Sequence, residues 1–84
     1  MEQFDFFFLS ALFQECRDIK AEAEEKGYNY IWSLSFASYG TDFLSTLYSK
    51  DNVRLEGICG KMRSKGEIKA HFLRVRAFLE EGAK

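Results

Sequence analysis

Two thiols and one imidazole, Cys16, Cys59 and His71, are where nucleophilic or metal chemistry would have to start in this sequence. A zinc site asks for about four nitrogen, sulfur or oxygen ligands. These three fall one short, and no Cys-x-x-Cys pair is present. Cys59 and His71 are a nucleophile and a base by type. A chain of 84 residues leaves little room, however, for a substrate pocket of ~300 Å³ or more beside them. Gly57-Ile58-Cys59-Gly60-Lys61 has two glycines and a lysine but not the Gly-Lys-Ser/Thr ending that a phosphate loop needs. Two widely separated cysteines are no disulfide framework either. The expectation is a protein with free thiols, no metal, no cofactor and no catalytic set, hence not an enzyme.

What remains is surface chemistry, and the charge is unevenly placed. Net charge is −1 over the whole chain. Residues 1–27 carry seven acids and three bases, whereas residues 50–84 carry nine bases and five acids. Lys61, Arg63, Lys65, Lys69, Arg74 and Arg76 lie close together in sequence with Glu67 as the one acid among them. Such a dipole favours an anionic partner at the basic end, or contact between copies. Aromatic residues reach 17%, with nine Phe, and proline is absent. No apolar run approaches the ~18 residues of a membrane helix. Phe6-Phe7-Phe8-Leu9 is too short for a signal peptide and no base precedes it. A single soluble, cytoplasmic domain over residues 1–84 is expected.

The elements that position these residues follow from periodicity. Residues 3–26 fit a helix, with Phe4, Phe8, Ala11, Leu12, Cys16, Ile19 and Ala23 in one stripe and Gly27 as its stop. Phe6, Leu9 and Phe13 fall on the opposite side, a second apolar stripe that a single core does not require. They are candidates for a partner or self-association surface. Beyond Gly27 the spacing changes to two. Tyr28, Tyr30, Trp32, Leu34 and Phe36 alternate with smaller or polar residues, as in a half-buried strand. Residues 38–42 and Lys50-Asp51-Asn52 are turn material, separating further strands at 43–49 and 53–59. A helical stripe also passes through Tyr28, Trp32, Phe36, Tyr39, Phe43 and Leu47, but the serines and glycine argue for the meander.

Ser64-Lys65-Gly66-Glu67 is a capping box that opens a second helix, and Gly82 would close it. Ile68, Phe72, Val75 and Leu79 form its core seam. Lys65, Lys69 and Arg76 project together beside that seam. The predicted fold is α+β: helix, three-stranded antiparallel meander, helix, with both helices on one sheet face. Phe8, Leu12, Trp32, Phe36, Phe72, Val75 and Leu79 are expected to be buried together.

This order of elements, with the run Gly60-Lys61-Met62-Arg63-Ser64-Lys65-Gly66-Glu67-Ile68-Lys69, resembles the double-stranded RNA-binding domain. Ser64, Lys65 and Lys69 match the start of that family's second helix, whose lysines bridge phosphates across the RNA. The likeness implies a basic RNA-facing helix. Gly66 departs from the family's second lysine, Tyr39-Gly40-Thr41-Asp42 replaces its Gly-Pro-x-His loop, and the first helix is acidic. These departures weaken any RNA affinity that the likeness implies.

Two functions are therefore expected. The first is a small non-catalytic protein-binding regulator, adaptor or inhibitor, of the kind encoded by mobile genetic elements or accessory operons. Phe6, Leu9 and Phe13 would be its apolar contacts, with Lys61, Arg63, Lys65, Lys69 and Arg76 as its basic ones. The second is a nucleic-acid-binding module in which Lys61, Arg63, Lys65, Lys69, Arg74 and Arg76 track phosphates at low affinity.

Overall fold

The computed structural model describes residues 4–81. Its elements run α1 (Phe6–Glu25), β1 (Asn29–Ala37), β2 (Gly40–Tyr48), β3 (Arg54–Ile58) and α2 (Lys65–Glu81). The strands form one antiparallel sheet in the order β1-β2-β3. This is the predicted αβββα fold, with both helices on one face.

Local chemistry sets the boundaries. Asp5 caps α1: its carboxylate accepts a hydrogen bond from the backbone N–H of Phe8 at 2.8 Å. Gly27 ends α1 at φ 81°, a left-handed conformation that suits glycine, and Tyr28 N–H returns to the carbonyl of Ala23 at 2.8 Å. The β1–β2 hairpin is tighter than expected. Ala37 pairs with Gly40 across a loop of Ser38 and Tyr39, so residues 40–42 belong to β2 rather than to a turn. The Ser49 hydroxyl accepts from the N–H groups of Asp51 and Val53, and Asn52 takes φ 64°, closing the second turn. Ser64 caps α2 by accepting from Glu67 N–H at 3.2 Å. The predicted stop at Gly82 lies outside the described residues.

The core lies between sheet and helices. α1 supplies Leu12, Cys16, Ile19 and Ala23, and α2 supplies Ile68, Phe72, Val75 and Leu79. Tyr30, Phe43 and Leu47 rise to meet them from the sheet. Four of the seven side chains expected in the seam are buried: Leu12, Phe72, Val75 and Leu79. Phe8 and Trp32 are half-buried against the cluster. Phe36 corrects the expectation, because it is 65% exposed. Burial fades along β1 for a geometric reason. Two strand residues advance about 6.7 Å, which about four helix residues match. Tyr30 meets α1 at Cys16 and Trp32 meets it at Phe13. Phe36 therefore falls opposite the first turn of α1, where Phe6 is itself 76% exposed.

Candidate functional site

Two sites stand out, and they have opposite properties. The first is a buried polar chain. Tyr30 on β1, Ser45 on β2 and His71 on α2 are fully buried. The Tyr30 hydroxyl lies 2.6 Å from Ser45 Oγ and 3.5 Å from Cys16 Sγ. Ser45 Oγ is 2.7 Å from His71 Nε2, and His71 Nδ1 is 2.8 Å from Glu56 Oε2 on β3. Arg74 closes the series by donating to both carboxylate oxygens of Glu56 at 2.9 and 3.2 Å. The register makes this possible, because it places Leu47 opposite both Tyr30 and Glu56, and Ser45 opposite both Trp32 and Ile58. All these side chains therefore stand on the helix face.

The electrostatics fit a neutral imidazole. Burial pushes the His71 pKa below its ordinary value of 6.5, against the opposing pull of Glu56. Burial of Glu56 acts to raise its pKa, but hydrogen bonds from Arg74 and His71 and their charges outweigh it, and the net shift is downward. A neutral His71 donates from Nδ1 to Glu56 and accepts at Nε2 from the Ser45 hydroxyl. Burial also raises the Cys16 thiol to about 11. Serine, histidine and carboxylate stand here in the sequence of a nucleophile, base and orienter. Ser45 Oγ nevertheless sits in a residue with no exposed surface, so the chain links all five elements rather than facing solvent.

The second site is open. A groove of about 560 Å³ runs between α1 and α2, within the range of ligand-sized clefts. Phe8, Ala11 and Leu12 line one side; Ile68, Phe72 and Leu73 line the other. Lys65, Lys69 and Arg76 follow the α2 wall, and Glu15 stands on the α1 wall. Lys65 Nζ lies over the Phe8 ring at 5.1 Å from its centroid. Arg76 donates to both oxygens of Glu15 at 2.9 and 3.0 Å and to Glu22 at 3.2 Å, so its charge is matched by α1. Leu73, 64% exposed, forms the apolar lip.

The five predicted basic residues thus divide. Lys65, Lys69 and Arg76 converge on the groove. The backbone of Lys61 forms an isolated antiparallel β-bridge with Asp42, and its ammonium sits over the Tyr39 ring at 5.7 Å. Arg63 donates to the carbonyl of Cys59 at 3.3 Å. The apolar trio occupies the other flank of α1. Phe6 is exposed, Leu9 packs against the core, and Phe13, 37% exposed, meets Trp32 edge-on at 5.5 Å. His71 joins neither cysteine through a hydrogen bond: Cys16 is buried beside Tyr30 and Cys59 is exposed. Among the described residues no group of three or more His, Cys, Asp or Glu side chains is placed to hold a metal, and no helix is long and apolar enough to cross a membrane.

The members of the polar chain are dispersed over all five elements, so no local pattern in the sequence reveals them. The one local signal was His71, adjacent to the seam residue Phe72; Glu56 alternates with the apolar Val53 and Leu55, so nothing in the sequence marks its inward position, which the pairing opposite Leu47 reveals. The groove's ingredients were visible, but not the separation of the helices that opens it. No family model, curated protein or solved structure matches this chain.

Proposed function

We propose that this protein is a small non-catalytic protein-binding module, a regulator, adaptor or inhibitor, and that the α1–α2 groove receives its partner. The observation behind this reading is the groove's composition: an apolar floor, an exposed leucine lip and a lysine wall. That combination suits an amphipathic helix with an acidic flank, laid between two helices that already share a layer. Arg76 is held by Glu15 and Glu22, and Lys69 on the same wall would meet the acids of the partner.

A titration tests this directly. The isotope-labelled protein is mixed with a synthetic acidic helical peptide bearing leucines at i, i+4 and i+7. Amide shifts should concentrate at Phe8, Ala11, Lys69 and Leu73, and Leu73→Glu should abolish them while leaving the fold intact. Shifts confined to the sheet, or none at all, contradict the proposal.

Duplex RNA is the second reading, favoured by Lys61, Arg63, Lys65 and Lys69 around the capped start of α2. It requires the log of affinity to fall linearly with log salt. Lys65→Glu with Lys69→Glu should then lower the slope by about two at most.

A further inference from the structure

The two edges of the sheet differ in what they offer another strand. β3 is five residues long, carries Arg54 and Glu56, and is offset from β2 by a register shift at Leu47/Tyr48. Short length, charge and irregularity all discourage edge-to-edge pairing. β1 has none of these protections. It is nine residues, Asn29–Ala37, without a charge or a proline, paired to β2 in unbroken register. Its sequence combines tyrosine, isoleucine, tryptophan and phenylalanine with serines, a composition suited to strands.

The hydrogen-bonding phase of the free edge can be read from β2. Thr41 C=O and Phe43 N–H are used on the β3 side, where they bond Met62 N–H and Gly60 C=O at 2.8 Å. The even-numbered residues of β2 therefore serve β1, and their partners are Asn29, Ile31, Ser33, Ser35 and Ala37. The N–H and C=O groups of Tyr30, Trp32, Leu34 and Phe36 are left pointing outward. Apolar side chains flank that edge. Phe36 is 65% exposed on the helix face, Ile31 is 46% exposed on the other face, and Phe6 and Phe13 stand on the flank of α1 away from the groove.

We propose that β1 pairs antiparallel with β1 of a second copy about a two-fold axis, joining two sheets into one of six strands. The outward groups are satisfied symmetrically when Tyr30 faces Phe36 of the other copy and Trp32 faces Leu34. Ser33 then faces Ser33 across the axis. The α1 flank bearing Phe6 and Phe13 faces its own counterpart, which gives the second apolar stripe a partner. A second copy is the occupant because the edge is self-complementary in length, phase and lack of charge, as an isologous contact demands. Each aromatic ring can contribute ~150–250 Å² when fully buried. The exposed parts of three rings and a nine-residue edge on each side approach the lower end of the ~1,200–2,000 Å² typical of stable complexes. This proposal is independent of the groove.

Ser33, exposed and on the sheet face away from the helices, permits a test that spares the core. Wild type should sediment at twice 9.8 kDa. Ser33→Lys and Ser33→Glu should each sediment as a folded monomer with the parent's far-UV circular dichroism, because each sets like charges opposite one another. Their mixture should return to dimer. Ser33→Cys in a Cys59→Ser background should form an intermolecular disulfide under oxidation, since a non-hydrogen-bonded pair brings Cα atoms to about 4.5 Å. A monomeric wild type at 0.2 mM, or a Ser33→Lys dimer of undiminished stability, overturns the proposal. Loss of dimer in Leu73→Glu with retention in Ser33→Lys assigns the contact to the groove instead.

Discussion

The polar chain beneath α2 and the groove beside it share one helix yet divide the properties a functional site needs. Ser45, His71 and Glu56 have reactive types at hydrogen-bonding distances, but Ser45 and His71 have no surface. The groove has surface and volume, but its polar groups are lysines and a paired Arg76–Glu15. Geometry alone makes the first resemble a catalytic relay, and access alone makes the second the proposed docking place. The same helix serves both because His71 and Phe72 are adjacent. A turn of about 100° directs one toward β3 and the other toward the core and groove.

The contrast breaks most severely at their shared wall. Phe72 lines the groove, is buried, and packs near the Phe43 ring, with centroids 6.3 Å apart. Phe72→Ala should lower unfolding free energy by about 3–5 kcal/mol, measured by urea denaturation. A parent-like midpoint would show that the groove floor is not part of the core. Within the polar chain, His71→Ala removes a bonding partner from both Ser45 and Glu56. It should cost about 2–3 kcal/mol, because buried polar groups lose bonds that solvent does not replace.

Acid should act on the polar chain. The unfolded state protonates His71 near 6.5, whereas the folded state resists until lower pH. As pH falls below about 6.5 the unfolded state binds more protons, and stability declines. Glu56, also lowered, adds a further loss as pH falls from its ordinary value of 4.5 through its folded value. Denaturation midpoints measured from pH 7.5 to 4 should therefore decrease with acid, and His71→Gln should flatten the upper part of that decline. A profile in His71→Gln identical to wild type would remove His71 from the account. The smallest effect belongs to the groove lip. Leu73→Glu should change stability by about 0.5 kcal/mol or less, as exposed substitutions usually do, while eliminating partner binding.

The same contrast explains what could be read from the sequence. The helices were legible because their apolar spacing is regular and their caps are local, as at Ser64 and Gly27. The meander was legible from the alternation of Tyr28 through Phe36. The fading of burial toward Phe36 was not, because it depends on where α1 begins relative to the strand end. Ser45, Glu56 and His71 become neighbours only through the pairing register, a long-range property that no local pattern encodes. The charge on the α2 flank was legible, but its division was not. Arg76 meets Glu15 and Glu22 from another helix, 61 and 54 residues away, and only the packing of α1 beside α2 shows that they neutralise it.

If the accessible groove receives the partner, as proposed, the buried relay is dispensable for binding. Nuclease-treated lysate passed over three immobilised forms tests it: wild type, Leu73→Glu with Lys69→Glu, and Ser45→Ala. Wild type and Ser45→Ala should retain the same protein, and the groove variant, still folded by circular dichroism, should lose it. Retention by the groove variant together with loss in a folded Ser45→Ala would place partner binding at the buried relay instead of the groove.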